Sequence, residues 1–109
     1  MLTGFYVLKG SGGAKYTPTF PRGGLSALFS VQTLEIVGTV SLTVVVEHKN
    51  AEDTAFTTAG TFSAIGGVTV ASLNVLSIKE QIRFSLTVTA TEAWEGVYMI
   101  IPAPAWRPY

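Results

Sequence analysis

The chain has no cysteine, so neither a disulfide nor a thiolate metal site can hold it together. Histidine occurs once, at His48, and aspartate once, at Asp53. That is too few ligands for a transition-metal site. Charge is scarce: 13% of residues are Asp, Glu, Lys or Arg, against roughly 25% in an ordinary soluble domain. The 7 basic and 7 acidic residues cancel, so no net field steers the chain toward nucleic acid or an anionic membrane. No apolar run approaches the roughly 20 residues of a spanning helix. The opening MLTGFYVLKG has no basic leader, which predicts no signal peptide and a soluble chain made in the cytoplasm. No stretch carries helical periodicity, and no solenoid or propeller repeat recurs.

What is present points to β-structure. A chain of 109 residues is one domain with room for one core. Residues 78–90, from Ile78 to Ala90, alternate strictly. Ile82, Phe84, Leu86, Val88 and Ala90 share one side, and Arg83, Ser85, Thr87 and Thr89 share the other. That is a strand with one buried face. Residues 2–9 predict a first strand with both faces mixed. Residues 26–37 predict a second, with a bulge near Gln32–Thr33 where the phase changes. Residues 39–48 predict a third, and Gly38 between them predicts a hairpin. Residues 56–64 and 68–76 read as strands around a tight turn at Gly66-Gly67. Residues 94–101 read as the last. The fold class expected is all-β: a β-sandwich or jelly roll of about seven to eight short antiparallel strands.

Two stretches stand outside that pattern. Residues 10–24, GSGGAKYTPTFPRGG, hold five glycines and two prolines and predict an extended N-terminal arm or loop. Its aromatic residues, Tyr16 and Phe20, suggest that it lies on a surface, of this domain or of a partner. Residues 102–109, PAPAWRPY, predict an extended C-terminal tail. Nearly half the residues are hydrophobic, 48%, while charge is sparse. The surface must then be finished with Thr, Ser, Gly and apolar groups, which points to a permanent neighbour.

Chemistry is hard to find. His48 sits where a strand meets the polar turn KNAEDTA and reads as a solvated strand end rather than a base. Glu52–Asp53 and Glu92/Glu95 read as ordinary turn acids, too poor in oxygen ligands for calcium. The glycine-rich arm lacks the flanking helix and Gly-Lys-Ser/Thr of a phosphate loop. Lys79, Glu80 and Arg83 are expected to close a strand end with a salt bridge. Trp94, Tyr98 and Trp106 could form a sugar platform, but packing is the favoured reading. No catalytic, cofactor-binding or metal site is expected.

Three short motifs carry a resemblance: Ile78-Lys79-Glu80, Ile82-Arg83-Phe84 and Pro104-Ala105-Trp106-Arg107, within residues 29–107. The pattern resembles small head proteins of tailed bacteriophages, of the capsid cement or decoration type. The resemblance implies a non-enzymatic virion protein on the capsid surface. It would staple neighbouring major capsid protein subunits as a homo-oligomer, a trimer among the options, binding neither nucleic acid nor membrane. Tyr16, Phe20, Arg22, Trp106 and Tyr109 are the expected partner contacts, because aromatic residues and arginine dominate interface energetics. Deleting residues 10–24 is expected to weaken attachment and leave the fold intact. The alternatives are a carbohydrate- or receptor-binding module of a fibre or spike, and a head–tail joining or tail protein.

Overall fold

A computed structural model describes residues 2–10 and 13–108, and within them the chain is all-β. Ten strands follow in order. They are β1 (Leu2–Lys9), β2 (Lys15–Tyr16), β3 (Phe20–Pro21), β4 (Ser26–Val37) and β5 (Val40–Lys49), then β6 (Thr57–Thr61), β7 (Val70–Val75), β8 (Gln81–Ala90), β9 (Gly96–Pro102) and β10 (Ala105–Arg107). Every pairing is antiparallel.

The register reduces the ten strands to eight ranks. Ala27 of β4 pairs with Val75 of β7 on one side and Trp106 of β10 on the other. Gln32 pairs with Val70 of β7 and with Ile100 of β9. So β9 and β10 run along the same side of β4, as one rank interrupted near Pro104. By the same reasoning β2 and β3 share the side of β8 away from β5. One sheet is then ordered β7, β4, β9–β10, β1, and the other β2–β3, β8, β5, β6. Numbered along the chain, rank 1 pairs with 8, 2 with 7, 3 with 6 and 4 with 5. The chain is one long hairpin wrapped into two layers, which is the jelly-roll connectivity.

Alternation decides which side chains lie between the layers. Val40, Leu42, Val44 and Val46 of β5 face inward beside Ile82, Phe84, Leu86 and Val88 of β8, all buried. The other sheet contributes Ala27, Phe29, Val31, Val97, Met99 and Ile101. Phe29 meets Phe84 edge to face across the layers at 5.6 Å. Phe20 stacks on Phe84 at 6.1 Å, and Trp106 packs edge-on against Phe29 at 5.9 Å. Such pairs contribute about 0.5–1.5 kcal/mol beyond the area they bury. The glycine- and proline-rich stretch and the tail thus each supply one ring to a common aromatic cluster.

Two expected hairpins are absent. β4 and β5 lie in different sheets, although only Gly38 and Thr39 separate them. Gly38 has φ of 79°, and the Thr39 N–H donates to Glu95 at 2.8 Å. That bond holds a corner where the chain changes layer, and each strand takes its partners from elsewhere. β6 and β7 also lie in different sheets. The segment at Gly66-Gly67 is a crossing, fastened where the Thr33 hydroxyl donates to Gly67 O at 2.8 Å and accepts from Thr69 N–H at 2.7 Å. The bulge in β4 falls between Thr33 and Glu35, leaving Leu34 as the extra, exposed residue. It lies just beyond the phase change in the sequence.

Candidate interaction surface

β9 is apolar on both faces. Val97, Met99 and Ile101 point into the core, so Tyr98 and Ile100 point outward. Its neighbour β1 places Phe5 and Val7 on the same outer face, 56% and 45% exposed. The register aligns them in two rows. Phe5 lies beside Ile100, then Gln32, then Val70; Val7 lies beside Tyr98, then Glu35. Val70 is exposed at 62%. The result is a contiguous apolar strip with a polar margin on β4. Contiguous strips of this kind, unlike scattered leucines, mark sites of association.

The outer face of the other sheet is unlike it. Ser41 pairs with Thr89, Thr43 with Thr87, Val45 with Ser85 and Glu47 with Arg83. The Arg83 Nε donates to Glu47 Oε1 at 2.7 Å. Its guanidinium lies between two rings, 4.0 Å from Tyr16 and 4.1 Å from Phe56. Tyr16 is exposed yet anchored, and the stack pins the start of the β2–β3 rank onto β8.

Several titratable groups hold strand ends and turns. His48 is buried, not solvated as expected. It follows Val44 and Val46 on the inward face of β5, and its Nδ1 accepts the Lys79 N–H at 3.2 Å. Burial, helped by the Lys79 charge, pushes its pKa below the usual imidazole value, against the weaker opposing pull of Asp53. Neutral His48 is an acceptor at a strand end. Glu95 is likewise buried and not an ordinary turn acid. Its carboxylate accepts the backbone N–H groups of Thr39 at 2.8 Å and of Thr91 and Glu92 at 2.9 Å. These bonds, the one from Thr39 foremost, hold its pKa below the usual range. Asp53 accepts the Asn50 N–H at 2.8 Å and pairs with Lys79 at 3.7 Å. The salt bridges of the Lys79/Arg83 cluster reach across to Asp53 and Glu47, not to Glu80; Glu80 accepts from the Ala51 N–H at 3.0 Å. Among the described residues no group of His, Asp and Glu could hold a metal ion.

Two concavities flank the sandwich. One, of about 670 Å³, lies at the end where β7 turns into β8 and is lined in part by Arg22, Asn50, Leu76, Ser77 and Lys79. Ser77 has φ of 55° there. The other, of about 240 Å³, lies between β1 and β8, with Lys9 and Lys15 at its rim. Neither is lined by an acid.

The expected contact residues are not one site. Tyr16 is held by Arg83. Phe20 and Trp106 are half-buried, directed at the core. Arg22 is exposed and donates to Ile78 O at 2.6 Å. Tyr109 lies outside the described residues. Trp94, Tyr98 and Trp106 do not converge either. Trp94 sits exposed before β9, Tyr98 lies on the outer sheet face and Trp106 packs on Phe29. The strip of Phe5, Val7, Tyr98 and Ile100 was readable as strands apolar on both faces. Only the pairing of β1 with β9 puts the four side by side. No protein-family model, curated protein or solved structure matches this chain.

Proposed function

We propose that this chain is a non-catalytic structural subunit of a tailed-phage head, a cement or decoration protein seated on neighbouring major capsid subunits. The observation that carries the reading is the outer strip of Phe5, Val7, Tyr98 and Ile100. A stable core does not require it, and a partner surface would take it out of water. At about 25 cal/mol per Å² of apolar area the gross gain from covering such a strip is substantial. Repetition over a shell adds avidity. The sparse charge and the resemblance of the three short motifs to phage head proteins support the same reading. The fold alone would not, since jelly rolls host many functions.

The test is co-sedimentation of the purified chain with shells lacking it. Phe5→Lys combined with Ile100→Thr is expected to abolish attachment at a concentration that saturates the parent. Thermal stability should stay within about 1 kcal/mol, because both side chains lie outside the core. Attachment equal to the parent's would overturn the reading. Deleting residues 10–24 is not a clean test. It removes Phe20 from Phe84 and uncovers the edge of β8, so it reports on folding.

A second reading, a module for an acidic sugar or receptor, draws on the 670 Å³ cavity with Arg22, Asn50 and Lys79 in its wall. Sugar sites usually add a stacking ring, and no aromatic residue lines this one. Titration with a uronic acid, followed by Trp fluorescence, separates the two readings.

A further inference from the structure

We infer that β1 is a self-association edge: two copies pair β1 with β1, antiparallel, about a two-fold axis at Tyr6. This rests on the fold and the edge itself, and does not depend on the shell reading.

Of the four edge ranks of the two-layer sandwich, β2–β3 and β6 are blunted, and β7 is shorter than β1, six residues against eight. The β2–β3 rank carries Pro18 and Pro21 and makes only two-residue ladders. β6 has five residues and a register shift against β5 at Val46/Glu47. It also closes against β7: a Cβ on Gly60 would lie 2.9 Å from Leu73. β1 is the least protected: its one register shift against β9 falls at its start, between Leu2 and Gly4. Its eight residues include no proline, and its register with β9 is unbroken from Gly4 to Lys9. Among the described residues β1 ladders with β9 alone, so its outward N–H and C=O groups offer a template, the liability that folded proteins normally manage with prolines, bulges or charges.

The chemistry of β1 matches itself. With Tyr6 on the axis, Phe5 falls opposite the partner's Val7, and Val7 opposite the partner's Phe5. Aromatic and β-branched residues are a favourable cross-strand pair, and these two are exposed hydrophobic residues of the strand. On the inward face Gly4 falls opposite the partner's Leu8, so the position without a side chain meets a large one. The only charge on the strand is Lys9. The antiparallel register separates the two lysines by six residues, about 20 Å, beyond the roughly 8–10 Å Debye length. A parallel arrangement would bring them together. The pairing also joins the apolar strips of the two copies across the seam, in one continuous sheet of eight ranks. One seam of this length lies at the small end of specific interfaces. The dimer is therefore expected to be concentration-dependent, in the micromolar range.

The lack of native cysteine makes the register directly readable. Phe5→Cys and Val7→Cys proteins are mixed and mildly oxidised. The proposed register places these two Cα atoms directly opposite, about 4.5–5.5 Å apart, within reach of a disulfide. Identical positions are diagonal, at about 7–8 Å. The mixture should cross-link at least about tenfold faster than either protein alone. Sedimentation equilibrium of the parent should show a dimer that grows with concentration. Val7→Lys, at an exposed position that leaves the core intact, should weaken that dimer about tenfold or more with an unchanged melting temperature. A parent that stays monomeric at its highest soluble concentration overturns the inference. So do cross-linking rates indifferent to mixing, and thiols captured only by an added capsid subunit.

Discussion

The two sheets share one core but finish their outer faces differently. On β8 and β5 the outward residues, Val45 apart, are mostly hydroxylated or charged: Thr43 against Thr87, Ser41 against Thr89, Glu47 against Arg83. On β1 and β9 they are Phe5, Val7, Tyr98 and Ile100. Folding needs one apolar face per sheet, and both sheets have it. The second apolar face on β9 therefore has no role inside the molecule. The contrast singles out the face on which the proposed neighbour would sit, which composition alone does not place.

The comparison can be broken at its root. Phe84 touches Phe20 and Phe29, and Trp106 reaches the same cluster through Phe29. Phe84→Ala should cost about 3–5 kcal/mol, the largest loss expected here, and should unfold both faces together in one denaturation transition. If one sheet melted first, the two faces would belong to separable units.

Glu95 tests the corner between the layers. Its pKa is held below the ordinary 4.5 of a glutamate, first by the Thr39 N–H and then by those of Glu92 and Thr91. A lowered folded pKa means that the charged form stabilises the fold. That contribution is full above about pH 4.5 and is lost as pH falls through the lower folded value. Glu95→Gln should therefore melt earlier than the parent at neutral pH, and the gap should narrow in acid. Melting curves across pH 7 to 3 check this. A gap independent of pH would remove the carboxylate from the account of the corner.

How far these features were readable varies with the physics behind each. Strands were plain wherever one face is buried: β5 and β8 alternate almost without exception, and burial enforces the period. Pairing was not plain. Gly38 between two alternating runs looks like a hairpin. The corner that takes β5 to the other sheet is held by the Glu95 carboxylate, 56 residues from Thr39 in sequence. His48 carried a usable signal, since it continues the inward phase of Val44 and Val46. The adjoining polar turn outweighed it. Residues 10–24 read as an arm or loop laid on a surface, of this domain or of a partner, because proline and glycine erase the periodicity that would place them. In the fold, Phe20 and Tyr16 add ring contacts to the short ladders that β2 and β3 make with β8.

On the polar face, Arg83 has several partners. Its ion pair with Glu47 is partly exposed, at 27% and 19% for the two side chains, so it contributes under about 1 kcal/mol. Each ring stack adds about 0.5–1 kcal/mol at such a site. Arg83→Ala should cost about 1–2 kcal/mol, and Arg83→Lys should recover only part of it, since ammonium does not stack as a planar guanidinium does. Attachment of the folded variant to a shell should be unchanged. Lost attachment at full folding would move the partner surface to this face.

The smallest expected effect is the sharpest control. Thr43 is exposed in the middle of β5, opposite Thr87, and its side chain faces water on the hydroxylated sheet. Thr43→Lys adds the same charge as Val7→Lys, at a comparable depth in a strand. Stability should move by no more than about 0.5 kcal/mol, within the modest range of strand preferences. Dimerisation and shell attachment should not move, whereas Val7→Lys should weaken both. Equal losses from the two lysines would mean that net charge, and not the apolar strip, governs association. A loss from Thr43→Lys alone would exchange the roles of the two faces.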